Sequence, residues 1–429
     1  MLHRLDRQGI VEYLFDRSEK GYNVIQTVLI SEFIHSYKVT NFYNDSIFIN
    51  ENPEKPFVTS GNDPVNAVEY DYWDHVDFAV EMARKMGLYL ALLPTWGEWV
   101  TPRVGEALFN TPQQAYNYGW FLGNRYKNVP NIIWMLGGDR LPDERDIGIA
   151  LWRAMAEGIT DGVTGEKEQD SKADYSATLM TWHSYQSSSN WFSNDEWIDL
   201  NTWGSYHGEI NNPRSYEAAL KDWNLSNPKP TLNSEPCYEK GSINYGLDDN
   251  GCFTSADVRI AAYWSVFSGA AGITYGANEI WQFAIKGDDN IASSRSSDWK
   301  EALNMKGCIH LTYLKKLMLS RPLKGFVPDS FMLVSGQGDR ASHVAVLASQ
   351  SSAFIYIPTG NKIRVKLGKL SGKKIRASWF NPRTREYTYI GEFENTGEKD
   401  FEVPAISEKL AWLRTGRGCD WVLVLTSDV

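Results

Sequence analysis

In the N-terminal part of the chain, short apolar runs alternate with stretches whose apolar positions recur at helical spacing. Ile10, Tyr13 and Leu14 share one helical face within residues 6–20, and Gly21 supplies a stop. Val24, Ile25, Val28 and Leu29 follow as a compact run over 22–30. Residues 72–85 repeat the helical pattern through Val76, Ala79, Val80 and Ala83, and 88–93 the run. Further helices are expected over 111–126, 143–161, 215–223, 255–269 and 297–320, and further strands over 131–136, 177–181, 200–206, 229–233 and 273–276. Runs buried on both faces mark parallel strands, and their regular exchange with helices predicts βα units closing into a barrel.

Beyond Arg321-Pro322 the pattern changes. Short alternating or β-branched segments at 331–334, 343–348, 353–357, 362–367, 374–380, 386–390, 400–403 and 421–425 are divided by turn signals such as Pro358-Thr359-Gly360 and Asn381-Pro382-Arg383. They predict a small antiparallel β-sandwich. The fold expected is therefore an α/β chain: a (β/α)8 TIM barrel over 1–321, followed by the sandwich over 322–429. Only seven barrel strands can be counted, and the chain opens directly on a helix. The barrel is thus expected to lack its first strand, which makes 131–136 the fourth strand and 229–233 the seventh. A missing strand would leave two unpaired edges and lower stability.

The 429 residues suit one large and one smaller domain. A formal charge of −10, with no basic run, argues against nucleic acid or an anionic membrane as partner. No apolar stretch is long enough for a membrane span, and Met1 to Gln8 lacks a signal peptide's apolar core. The four cysteines form no Cys-x-x-Cys pair, so neither a zinc knuckle nor a disulfide scaffold is indicated. The 17 Trp and 22 Tyr fit sugar binding, in which an aromatic face packs on ring C–H groups, although cores and interfaces use the same residues. A monomer acting on an oligo- or polysaccharide is expected, without a cofactor.

Candidate chemistry collects at the carboxyl ends of the strands, where loops vary above a rigid base. The run Ile132-Ile133-Trp134-Met135-Leu136 stops at Gly137-Gly138-Asp139, and the seventh strand ends Ser234-Glu235-Pro236. Glycoside hydrolysis needs one protonated carboxyl to serve the leaving oxygen and one ionised carboxylate to attack the anomeric carbon or activate water. Asp139 is the expected general acid and Glu235 the nucleophile or base. Alternatively, Asp139 caps a turn and Glu235 pairs with Arg259 or Arg125. Glu32 and Glu239 compete for a catalytic place. Trp96, Trp182, His183, His207 and Trp281 also lie at strand ends, and with Glu32 and Glu239 they are the expected substrate-binding set. The two histidines could ligate a metal, but no third ligand at suitable spacing is evident, so sugar hydroxyls are the better partners and no metal is expected. Trp96 and Trp281 would serve equally as rim packing. A non-catalytic carbohydrate- or matrix-binding protein with a degenerate barrel is the alternative function. A metalloprotease is not, because His-Glu-x-x-His is absent.

The chain resembles the bacterial apiosidases of glycoside hydrolase family 140. The resemblance is carried by Lys20-Gly21-Tyr22-Asn23-Val24-Ile25-Gln26, Leu92-Leu93-Pro94-Thr95-Trp96-Gly97, Asn131 to Asp139, Glu235-Pro236-Cys237-Tyr238-Glu239 and Tyr263 to Ala270. In the sandwich, Trp379 to Thr384 and Asp420-Trp421-Val422-Leu423 match the family's terminal module, which carries a collagen-binding label. The resemblance implies a (β/α)8 barrel with Asp139 and Glu235 as catalytic candidates. It also implies release of terminal apiose from pectin side chains by an enzyme that is secreted or periplasmic in its full-length form. Members of the family begin with a strand ending in a Gly-Asp-Thr-x-Trp type segment, which this chain does not contain.

Overall fold

The computed structural model describes residues 1–31, 39–103, 105–247, 251–287, 297–404 and 418–427. The polypeptide forms two compact units. One comprises Met1–Thr202 with Glu279–Trp299, the other Trp203–Asn278 with Lys300–Val429.

The first unit begins with helix α1 (Arg7–Glu19), whose N-cap Asp6 accepts the Gly9 N–H at 2.7 Å. Strand β1 (Val24–Val28), helix α2 (Tyr72–Lys85), β2 (Tyr89–Leu93), α3 (Pro112–Tyr126), β3 (Ile132–Gly137), α4 (Gly148–Thr164), β4 (Met180–His183) and the short α5 (Ser189–Phe192) follow. Helix α2 starts in a capping box between Asp71 and Asp74 and buries Val76, Ala79, Val80 and Ala83, the stripe read from the sequence. Strands β1 to β4 form one parallel sheet in chain order. Helices α3 and α4, which flank β3 in the chain, touch backbone to backbone. A Cβ on Gly123 would stand 2.0 Å from the Ile159 carbonyl oxygen, and one on Gly158 2.2 Å from that of Tyr116.

Helix α4 begins later than residue 143. The Arg145 guanidinium donates to the carbonyls of Val100 (2.8 Å) and Phe109 (2.7 Å), tying residues 141–147 to the preceding loop as a turn.

The chain enters the second unit within β5 (Asn201–Gly204) and continues through α6 (Arg214–Trp223), β6 (Thr231–Glu235), α7 (Ser255–Phe267) and β7 (Gly272–Ile273). These strands form a sheet in the order β5-β6-β7, with β6 and β7 parallel. The seven strands expected from the apolar runs are all present. Helix α8 (Asn278–Trp281) returns the chain to the first unit. The expected helix 297–320 is broken into α9 (Trp299–Ala302) and α10 (Lys306–Leu319). The break has a cause: the buried carboxylate of Glu239 accepts the Gly307 N–H, at 3.1 and 2.9 Å from its two oxygens, which serves a new helix N-terminus.

The antiparallel domain contains β8 (Val327–Pro328), β9 (Leu333–Ser335), β10 (Ala345–Ala348), β11 (Ser352–Ile357), β12 (Ile363–Lys366), β13 (Lys374–Phe380), β14 (Tyr387–Glu394), β15 (Glu398–Phe401) and β16 (Trp421–Ser427). A six-stranded sheet, β14-β13-β16-β11-β10-β8, faces a three-stranded sheet, β15-β12-β9. Alternation assigns the side chains of β11 to two cores. Ala353, Ile355 and Ile357 meet the smaller sheet, while Phe354 and Tyr356 join α7 and α10 in a second core.

That second core explains why barrel elements and sandwich share a compact unit. Tyr356 stacks on Tyr263 at 4.7 Å, and each such side chain contributes about 1.5–3 kcal/mol on burial. Inside it, Arg259 of α7 donates to both oxygens of Asp420, at 3.0 and 2.8 Å, and Arg383 adds a third contact at 3.2 Å. Burial pushes Asp420 up, but the two guanidiniums outweigh it and hold the group at about 2. Arg259 also donates to His310 Nδ1 at 2.9 Å, which keeps that ring neutral. Burial first, and Arg259 second, lower His310 to about 4.

Removing one partner of this pair leaves a charge buried and uncompensated, so Arg259→Met is expected to cost roughly 3–5 kcal/mol in urea unfolding at pH 7. His310 and His343, both lowered to about 4, stay neutral in the fold below pH 6.5, where the unfolded chain protonates them. Stability therefore rises with pH between about 4 and 6.5. Unfolding curves across that window should show His310→Gln with a slope one proton smaller than wild type.

Candidate active site

In the first unit the site is framed by the glycines that end β3. Gly137 has φ +96°, and a Cβ there would lie 2.3 Å from the His183 carbonyl oxygen on β4. A Cβ on Gly138 would lie 2.2 Å from the Gly97 nitrogen in the loop after β2. The end of β3 is thus clamped on both sides by backbone, and only glycine fits. Asp139 emerges from this clamp half-buried. The next residue, Arg140, is fixed by an ion pair with Glu98, whose other oxygen accepts the Arg103 N–H at 2.7 Å. His183 is buried as the last residue of β4, with its ring 5.5 Å from that of half-buried Trp96.

In the second unit the site is built on the end of β6. Glu235 is 6% exposed, and its Oε1 accepts the Tyr238 hydroxyl at 2.9 Å. His207 Nε2 stands 3.5 Å from the same oxygen. The Tyr238 N–H donates to His207 Nδ1 at 3.3 Å, so the neutral ring carries its proton on Nε2, directed at Glu235. Tyr238 therefore acts twice, through its hydroxyl on the carboxylate and through its backbone on the histidine. The same lone pair on Nδ1 is not open to a metal ion. Tyr206 N–H donates to the Glu235 carbonyl at 3.0 Å from a left-handed backbone (φ +53°), its ring lying over Gly204. Strain of this kind in a bulky residue collects at functional sites.

Two residues expected to bind substrate have other work. Trp182 is fully buried against Trp152, Trp191 and Phe192, because strand alternation turns it to the face opposite its neighbour His183. It is a core residue. Glu239 is buried on Tyr275 (2.8 Å) and the Gly307 N–H. Burial pushes it above the usual carboxylate range, against the pull of those donors. It anchors α10 rather than facing substrate. Trp281 ends α8 half-buried. Glu32 lies outside the described residues. The ion pairs weighed against a catalytic Glu235 are made elsewhere: Arg259 holds Asp420, and Arg125 holds Asp77 at 2.7 and 3.1 Å. Tyr206 and Tyr238 were not singled out from the sequence, since neither strand periodicity nor residue type marks a tyrosine that curls back three positions onto a carboxylate.

A family model described as "Apiosidase-like, catalytic domain" matches residues 1–324. The chain belongs to the apiosidase-like family. A second model, "Putative collagen-binding domain of a collagenase", matches residues 327–426. Among solved structures, one named "Glycoside hydrolase" is 30% identical, with a TM-score of 0.84 over 99% of this chain and 90% of its own. A glycoside hydrolase family 5 structure from Bacteroides vulgatus is 29% identical, with a TM-score of 0.83 over 99% and 86%. An Anoxybacillus alpha-amylase, 13% identical with a TM-score of 0.52 over 99% and 91%, shares the fold alone. No curated protein matches. This apiosidase-like chain is a glycoside hydrolase: its N-terminal domain is a barrel of that type, followed by an antiparallel β domain. No helix among the described residues is long and apolar enough to cross a membrane.

Because Gly138 meets the Gly97 backbone rather than a side chain, Gly138→Ala must move one of the two loops. A displacement of an ångström near reacting groups costs about 10²-fold. Gly138→Ala is expected to lose glycosidase kcat/KM on that scale, with its far-ultraviolet circular dichroism unchanged.

Proposed function

We propose that this apiosidase-like enzyme removes terminal sugars, apiose or a close relative, from plant cell-wall side chains, with Asp139 as general acid and Glu235 as nucleophile or base. The observation that carries the reading is the second-unit network. A carboxylate almost removed from water accepts a tyrosine hydroxyl on one oxygen, with a histidine Nε2 3.5 Å from the same atom, and is held in one orientation. Hydrogen bonds to a charged group contribute about 1.5–3 kcal/mol each, enough to offset much of the desolvation. Such a group serves as the base or nucleophile of the pair.

Asp139 suits the complementary task. It stands at the end of β3 on a loop that the glycine clamp and the Arg140–Glu98 ion pair hold in place. In the first step the Asp139 proton passes to the glycosidic oxygen as the bond to the anomeric carbon breaks. Glu235 either bonds to that carbon or takes a proton from the water that does. When the glycosyl–enzyme route is followed, the Asp139 carboxylate then takes the proton of the incoming water, and Glu235 leaves. A substrate outside the cell would be met by a protein working in the periplasm or medium.

Asp139→Ala and Glu235→Ala are both expected to lose at least about 10³-fold of turnover on pectin side-chain oligosaccharides while melting within a few degrees of wild type. The anomer first seen by proton nuclear magnetic resonance decides between the two roles of Glu235. Retained configuration assigns it as nucleophile and inverted as base. Either variant working at wild-type rate would overturn the assignment.

A further inference from the structure

We propose that the antiparallel domain carries a binding surface for an acidic, uronate-bearing polysaccharide, formed by Arg321, Arg376 and Arg385 around Tyr387 and Tyr389. The inference does not depend on the catalytic reading of Asp139 or Glu235. Charge gives the first indication. The chain as a whole is formally −10, yet residues 322–429 hold 15 Lys and Arg against 11 Asp and Glu, a formal +4. A polyanion repelled by the rest of the chain is drawn to such a domain.

The fold gathers part of this charge on one sheet face. Along β13, Ile375, Ala377 and Trp379 enter the core under the three-stranded sheet, so Lys374, Arg376, Ser378 and Phe380 look the other way. Phe380 and its β16 neighbours Val422 and Val424 are buried there in one core with α7 and α10. Arg376 is exposed, and Thr426 beside it on β16 is half-buried. One sheet face is thus apolar where the helices cover it and polar where they stop. Edge strand β14 borders it with Tyr387, opposite Phe380, and Tyr389, opposite Ser378. These tyrosines are 50% and 53% exposed.

Guanidiniums surround the two rings. Arg376 lies over Tyr389, 4.9 Å from its centroid. Burial raises the Tyr387 hydroxyl, and Ser320, Arg321 and Arg385 pull against it, which places both arginines near this ring. Arg385 stands at φ +66° in the turn that Asn381 N–H closes on the Glu386 carbonyl at 2.9 Å, a backbone region that favours glycine or asparagine.

The pairing of charges decides the matter. Elsewhere in the domain surface cations are neutralised: Asp400 takes Arg364 at 2.6 Å and Lys362 at 3.0 Å, and Asp329 takes Lys369 at 2.7 Å. Among the described residues, no carboxylate comes within ion-pair distance of Arg321, Arg376 or Arg385. Glu386 accepts the Thr384 hydroxyl at 2.8 Å, and Glu392 stands across from Arg376 without pairing with it. A guanidinium presents its donors in a planar fork that fits a carboxylate, and a phenol ring fits the C–H side of a sugar. A uronate offers both on one ring. Cations at both ends of the tyrosine pair suit an extended chain better than a single sugar.

The test titrates the full chain with polygalacturonate and with its fully methyl-esterified form by isothermal calorimetry, with heparin as an unrelated polyanion. Wild type is expected to bind polygalacturonate, and the double variant Arg376→Gln/Arg385→Gln to raise Kd at least about tenfold, through the loss of charge-assisted hydrogen bonds. Affinity should fall as salt is raised to about 1 M, where the screening length is about 3 Å. Tyr389→Ala should raise Kd about threefold or more. Lys362→Gln/Lys369→Gln, which removes two positive charges elsewhere in the domain, should bind like wild type. All variants should keep the wild-type melting temperature and turnover of nitrophenyl glycosides. A wild type that binds no polygalacturonate, an arginine double variant or Tyr389→Ala with unchanged Kd, or an equal loss in the lysine double variant would each overturn the proposal. So would equal affinity for the methyl ester or for heparin. The titration needs no bond cleavage, so failure of the catalytic reading would show separately, as turnover insensitive to Glu235→Ala.

Discussion

A carboxylate taken out of water must be met by donors, and three of the second unit's buried carboxylates meet this requirement in three ways. Asp420 receives two guanidiniums and is held at about 2, ionised under all ordinary conditions. Glu239 receives a tyrosine hydroxyl and a helix N-terminal N–H, donors without full charge, and burial wins. Glu235 accepts the Tyr238 hydroxyl at 2.9 Å, with His207 Nε2 3.5 Å from the same oxygen. The first two acids are structural, one joining α7 to the antiparallel domain and the other starting α10. The third stands at the end of β6, with a neutral hydroxyl donor on one oxygen.

In the first unit the controlling constraint is backbone proximity. Gly137 and Gly138 let β3 end between the last residue of β4 and the loop after β2, with no side chain intervening. Their service to Asp139 is indirect: a residue following two clamped glycines inherits the precision of three chain segments. Buried His183, set against Trp96, completes that rim with rings instead of flexible polar groups.

Much of the architecture was legible because burial on both faces leaves a plain mark. The seven strands are readable as apolar runs, and the switch at Arg321-Pro322 as a change of period. What escaped depended on long-range partners. The turn before α4 exists because Arg145 reaches two carbonyls in another loop, and the break between α9 and α10 because Glu239 arrives from β6's loop. Neither partner lies near in sequence. The two candidate carboxylates, Asp139 and Glu235, are readable as acids at strand ends, but the groups that support them are not. Trp182 was open to exclusion on period alone, since it and His183 are adjacent on a strand and must point apart. Glu239 was not, because four residues separate it from Glu235 in a loop that has no period.

The packing also bears on what the antiparallel domain does. One face of its six-stranded sheet is covered by the three-stranded sheet and the other by α7 and α10, so β11 is buried along its whole length. Both faces of the central strands of the six-stranded sheet are interior, and the exposed large side chains of the domain, Phe331, Val327, Val334, Tyr387 and Tyr389, lie at its edges and on the strand β9 side. Helix α7 begins at the end of the loop that carries Glu235 and Tyr238, and its Arg259 is the residue that Asp420 neutralises. The antiparallel domain therefore shares a hydrophobic core with α7 and α10, next to the loop that follows Glu235.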